Sequence, residues 1–216
     1  MKLVKLIVFI LFCNSSFGQN KPKLQKNGIT SIEILANLVK FLNLSPNEKI
    51  ADIGTGTGYS LIKVANACPE CKFDVEDIDS TKCNKNSFNF WINKTNNLSK
   101  IENFTFYLRN DTTTNLPSST YDKVLISDVI HELTYKKEML NDIKRILKKD
   151  GQVFIEEILV SKTVKKDKKC TYPFLQEVEL KKIMADNNFL LKREIINLDA
   201  YGRNKYIKVF EYVVGL

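Results

Sequence analysis

The sequence predicts a single α/β domain, doubly wound around a mostly parallel seven-stranded sheet with an antiparallel edge strand and helices on both faces. Three observations carry that prediction. Short, continuously apolar segments alternate with amphipathic helical ones, the pattern of a parallel sheet covered on both sides. The first apolar segment runs directly into a glycine-rich turn that opens a helix. The last two strands are separated only by Asp199-Ala200-Tyr201-Gly202 and their neighbours, too few residues for a crossover, so they pair antiparallel.

The elements follow in order. From Thr30, the residues Ile32, Leu35, Leu38, Val39 and Leu42 recur at three- and four-residue steps and give a helix one apolar face. Thr30 and Glu33 read as its capping box. Ser45-Pro46-Asn47 breaks the chain, and Lys49 to Ile53 is a short buried strand. Tyr59 to Ala67 is helical, Phe73 to Ile78 a strand, and Ser80 to about Asn97 a helix with Phe90 and Trp91 on its buried face. Strands Phe104 to Leu108 and Tyr121 to Ser127 come next. Thr134 to Leu147 is a helix with Met139, Ile143, Ile146 and Leu147 inward, and Asp150-Gly151 turns into a strand from Gln152 to Leu159. A helix from about Phe174 to Asn187 and strands Phe189 to Ile196 and Lys205 to Val214 close the chain. No repeat or linker divides it.

At 216 residues, 44% hydrophobic and 27% charged, the chain is long enough to bury a core without disulfides or metal. A single His excludes a multi-histidine metal centre, and no metal ligands are expected. The formal net charge is +8. The run Lys162, Lys165, Lys166, Lys168 and Lys169 reads as a solvated loop, because no aromatic or Arg interleaving supports nucleic-acid stacking.

Residues 1–18 have the layout of a signal peptide: Lys2 and Lys5, an apolar stretch from Leu6 to Cys13, then small and polar residues to Gly18. The stretch is shorter than the about 20 residues that span a bilayer. Ser16 and Gly18 place cleavage before Gln19, leaving a polar tail over 19–29 and the domain over 30–216. The expectation is export to the periplasm or beyond. The other reading is an uncut stretch that tethers a cytoplasm-facing domain.

The segment Ile50-Ala51-Asp52-Ile53-Gly54-Thr55-Gly56-Thr57-Gly58-Tyr59 is the most informative in the chain. Closely spaced glycines between a strand and a helix let backbone approach a nucleotide. A dinucleotide site spaces its glycines G-x-G-x-x-G, which from Gly54 requires a glycine where Tyr59 stands. Here the spacing is G-x-G-x-G. Asp52 would also repel a pyrophosphate, but it suits a cationic amino group, so S-adenosylmethionine fits better than a nicotinamide dinucleotide.

Ile50 to Gly58 resembles the first motif of the class I S-adenosylmethionine-dependent methyltransferases, whose Rossmann-like fold the element order also resembles. The resemblance covers roughly residues 30 to 214. It implies a methyltransferase in which Gly54, Thr55, Gly56, Gly58 and Tyr59 shape the turn under the cofactor and Asp52 helps hold its amino group. Asp77, followed by Ile78, matches the acid that takes the ribose hydroxyls, with Glu76 and Asp79 as neighbouring registers. Asp111, after Arg109-Asn110, matches the residue that reaches adenine. Asp128, at the end of the fourth strand, falls where the family places residues beside the methyl group. Asn188-Phe189 departs from the usual glycine-phenylalanine.

His131 lies just past that strand end, as a general base for the acceptor or as a residue that packs and hydrogen-bonds under the loop. Glu132 is a competing acid. Cys68-Pro69-Glu70-Cys71 reads as a local disulfide or as two plain thiols, not as a zinc or thioredoxin-like site. The acceptor is expected to be a small molecule, with Val160 to Pro173 helping to cover its pocket. Two other functions compete: an exported binding module that keeps the fold without turnover, and a nicotinamide-dependent dehydrogenase.

Overall fold

The computed structural model describes residues 31–161, 172–198 and 204–215. Helix α1 (Ser31–Leu42) leads into β1 (Lys49–Ile53), α2 (Tyr59–Ala65), β2 (Lys72–Asp77), α3 (Lys85–Lys94) and β3 (Phe104–Leu108). Then come β4 (Tyr121–Ser127), α4 (Lys136–Ile146), β5 (Leu147–Val160), α5 (Glu177–Asp186), β6 (Phe189–Leu198) and β7 (Lys205–Val214). All seven strands join one sheet in the order β3-β2-β1-β4-β5-β7-β6. Pairing is parallel from β3 through β5, whereas β7 runs antiparallel to both β5 and β6. The final hairpin folds back so that β7 enters between β5 and β6, leaving β6 outermost.

Strand periodicity divides the core into two layers. Ala51, Ile53, Val124, Ile126, Val153 and Ile155 face α4 and α5, where Met139, Ile143, Leu180 and Met184 meet them. Ile50, Leu125 and Phe154 face the other way, against Phe41 and Leu42 of α1, Leu61 and Ile62 of α2, and Phe88 of α3. Burial on both faces is why these strands read as continuous apolar runs.

Several boundaries differ from the sequence reading. Helix α3 begins at Lys85 because Asp79 and Asn84 capture nearby backbone groups: Thr81 N–H donates to Asp79 and Ser87 N–H to the Asn84 cap. Its buried residue is Phe88, while Phe90 is 55% exposed and Trp91 only half-buried. Helix α4 begins at Lys136, and β5 begins at Leu147, ahead of Gly151, with a register shift opposite Tyr121 and Lys123. The Asp150-Gly151 turn is thus absorbed into a strand irregularity. Helix α5 starts at Glu177. Cys68 and Cys71 form a disulfide, and Cys83 is a buried free thiol. Thr30 and most of 160–173, with its lysine run, lie outside the described residues, as do the N-terminal 30.

Candidate functional site

Strand order reverses between β1 and β4, so the loops after these strands splay apart and leave a crevice at their carboxyl ends. The glycine turn forms one wall. Gly54, Gly56 and Gly58 have φ of +70°, +56° and +78°, a region L side chains rarely adopt. An added Cβ at Gly54 would strike Val129 at 2.7 Å, and one at Gly58 would strike Phe88 at 2.4 Å. At Gly56 it would meet nothing within 4 Å. Gly54 and Gly58 are therefore required by close packing, and Gly56 opens onto free space. Gly54 and Thr55 N–H both donate to the Glu76 carbonyl at 3.0 Å, tying the turn to the end of β2.

The structure distinguishes the three acids at that end. Asp77 accepts from Gly56 N–H and from Asp79 N–H, both at 2.8 Å, and so faces the turn. Glu76 is fully buried, with Gly54 N–H beside its carboxyl and Arg109 Nε 3.1 Å away. Asp79 is spent on the Thr81 turn. Asp77 is the register that meets Gly56, at the middle of the glycine loop. Across the turn, burial pushes the Asp52 carboxyl up to about 7, with the nearby Asp77 charge adding to it. Desolvation likewise raises Glu76 well above its ordinary range, against the pull of Arg109. A cluster of carboxylates this short of counter-charge suits a cationic ligand group.

Ile78 is about half exposed beside Asp77, and Asp111 is exposed in a turn that Asn110 organises by accepting from Thr112 and Thr113 N–H. Tyr59 departs from expectation. Its ring packs 4.5 Å from Trp91 with Lys63 Nζ 3.5 Å above it, on the outer side of α2. Only its place in the first turn of α2 belongs to the loop.

Past β4, Asp128 is exposed with φ +56°, held by its N–H donating to Glu156 O at 2.7 Å. His131 is buried, its side chain 1% exposed, with Nδ1 2.7 Å from Glu157 Oε1 and the ring 5.1 Å from Phe174. Burial raises Glu157 to about 7, opposed by His131. Asp128, His131 and Glu157 each place a ligand-capable atom within 4.8 Å of the others, a grouping sequence spacing did not suggest.

A cleft of about 90 Å³ continues from Asp52, Gly54 and Thr55 between α1 and the sheet. Its walls include Leu38, Leu42, Leu125 and Phe154, with Ser127 and Glu156 at the polar end. His131 is not on these walls, but Glu156 is. Sequence reading missed both glutamates; their one signal is that Glu156-Glu157 interrupts an otherwise apolar strand.

Residues 51–153 match the family model described as a methyltransferase domain. No curated protein matches the chain. Among solved structures, it is similar to an S-adenosylmethionine-dependent methyltransferase from Aquifex aeolicus, at 19% identity and a TM-score of 0.65 over 85% of this chain and 92% of that one. It is also similar to the [4+2]-cyclase SpnF, at 13% identity and a TM-score of 0.69 over 85% and 82% of the two chains. A third is the Streptomyces coelicolor geranyl diphosphate C-methyltransferase, solved with Mg2+, geranyl diphosphate and S-adenosyl-L-homocysteine, at 10% identity and a TM-score of 0.64 over 82% and 78%. These likenesses establish the fold, and the cyclase shows that the fold also hosts other chemistry. With its strand order and its glycine turn taken together, the chain has the Rossmann-like class I methyltransferase fold, and its residues 51–153 match the methyltransferase-domain model.

Proposed function

We propose that this protein transfers a methyl group from S-adenosylmethionine to a small-molecule acceptor. The observation that carries the reading is the pairing of an open cradle at Gly56 with Asp52 and Asp77 on either side of it. Among the described residues no cationic side chain lines the cleft beside Gly54 and Thr55 to hold a pyrophosphate, and the glycine spacing is wrong for one. Asp52 would hold the cofactor's ammonium group, Asp77 its ribose hydroxyls, and Ile78 and Asp111 would flank adenine. The cofactor supplies an activated methyl on a sulfonium centre. Small-molecule acceptors bind structural neighbours too, including the phosphoethanolamine N-methyltransferase 2 of Haemonchus contortus, solved with phosphomonomethylethanolamine and S-adenosylhomocysteine.

The chain's own residues contribute alignment and water exclusion. Asp128 borders the region where the methyl group would lie. His131 acts under the loop after β4 as a positioning residue, its Nδ1 held 2.7 Å from Glu157 and its buried ring off the cleft walls. Isothermal titration with S-adenosylmethionine, S-adenosylhomocysteine and NAD tests the reading. Binding of the first two and not the third is expected, and NAD binding alone would overturn it.

The N-terminal layout supports export as a further proposal. A disulfide between Cys68 and Cys71 accords with an oxidising compartment. Among the described residues no helix is long and apolar enough to cross a membrane.

A further inference from the structure

The cleft between α1 and the sheet runs on from the glycine turn along apolar walls. Beyond Asp52, Gly54 and Thr55 its walls are Leu38, Leu42, Leu61, Leu125, Phe154 and Val209. Among the described residues, Asp52 and Glu156 are its ionisable groups, and neither Lys, Arg nor His lines it. An anion entering it would meet two carboxylates and no counter-charge, whereas a hydrogen-bond donor on an apolar body would meet acceptors at one end and hydrocarbon at the other.

The acceptor end is built by long-range contacts. Ser127 Oγ donates to Glu156 Oε2 at 3.0 Å, and Asn197 Nδ2 donates to Glu156 Oε1 at 2.7 Å. Asn197 gets there through an irregularity in β6: Ile196 pairs with Lys208 and Leu198 with Ile207, so Asn197 is the extra residue of a bulge, a device that re-aims side chains. The residue is 1% exposed and its Oδ1 has no hydrogen-bond partner in the structure. Asn197 is not itself on the cleft wall, and its part is to hold the Glu156 carboxyl in place.

We propose that this cleft is the acceptor subsite and that it takes an apolar amine: Glu156, set by Ser127 and Asn197, receives the amine N–H, and the hydrocarbon lies along Leu38, Leu42 and Phe154. The assignment of the amine as methyl acceptor rests on the methyltransferase reading, but its binding does not. The same wall disfavours phosphorylated acceptors such as those bound by two of the structural neighbours.

The test is calorimetric titration of the S-adenosylhomocysteine-loaded protein with n-octylamine and with octanoate. Octylamine is expected to bind and octanoate to bind at least about tenfold more weakly. Glu156→Gln, which keeps shape and removes charge, is expected to lower octylamine affinity about tenfold and to leave S-adenosylhomocysteine binding in place. Leu38→Phe, on the partly exposed helix wall, narrows the cleft and is expected to weaken octylamine; should the Gln variant not fold, loss of octylamine binding in the Phe variant supports the subsite and its persistence overturns it. Equal binding of octanoate, or an unchanged octylamine affinity in folded Glu156→Gln, overturns the proposal. Octylamine binding that depends on Glu156 without any S-adenosylhomocysteine binding would support the amine subsite and remove the cofactor reading. Cofactor binding without octylamine binding would remove the subsite alone.

Discussion

Replacing Gly58 with alanine strikes the glycine turn at its tightest point. At φ +78° an L residue costs about 1–2 kcal/mol relative to glycine. The new methyl would also lie 2.4 Å from two carbons of the Phe88 ring. That ring is fully buried and wedged between Phe104 and Phe106, with centroids at 5.1 and 4.9 Å, so it has no room to retreat. Overpacking of this kind costs about 1–3 kcal/mol, which brings the expected loss to about 2–5 kcal/mol. Gly56→Ala is the matched control. It carries the same backbone penalty at φ +56° and no contact within 4 Å, so its expected loss is only about 1–2 kcal/mol. Urea denaturation of both variants measures the difference, and calorimetry on the folded fraction measures binding. Gly56→Ala should lose the larger share of S-adenosylhomocysteine affinity, because its methyl projects into the space assigned to the cofactor. Equal stabilities for the two variants would refute the packing account, and wild-type affinity in Gly56→Ala would remove the cradle.

Asp77→Ala should lower cofactor affinity by about 1.5–3 kcal/mol through lost charge-assisted hydrogen bonds; unchanged affinity in a folded variant would move the ribose contact to another acid. Asp52 has a folded-state pKa of about 7, raised above its ordinary 3.8, so in the free protein its contribution to stability is present below about pH 4 and is lost as pH rises toward 7. Binding a cationic amino group requires the carboxylate, so S-adenosylhomocysteine affinity should fall by up to about tenfold per unit as pH drops below 7. Calorimetry across pH 5.5 to 8 reads this, and a profile that stays just as steep in Asp52→Asn would assign the effect elsewhere. His131→Ala should keep cofactor binding and lower turnover with any acceptor found; equal losses in both would make His131 structural. N-terminal mass spectrometry of the natively expressed protein should find Gln19 first, and an intact Met1 on a cytoplasm-facing protein would exclude export.

The sequence by itself determined the order of strands and helices, the strand-to-helix turn at Gly54 to Gly58, and the acid-rich end of the second strand. These are local properties: hydrophobic period, glycine spacing and the acid at a strand end are each legible inside a single short segment of the chain. Local reading failed where side chains competed with the helix, as Asp79 and Asn84 do ahead of α3. It was also ambiguous where neighbouring residues point to opposite faces. Glu76 and Asp77 look interchangeable in sequence, but the strand pleat sends one to Arg109 and the other to the Gly56 N–H. Glu156 and Glu157 divide in the same way, one toward Ser127 and Asn197 and the other toward His131. Which partner each meets depends on β5 lying between β4 and β7, and on a one-residue bulge in β6 that turns Asn197 inward. Only tertiary structure could decide that, because pairing between strands far apart in the chain brings those donors and acceptors within hydrogen-bonding distance, and no sequence period encodes it.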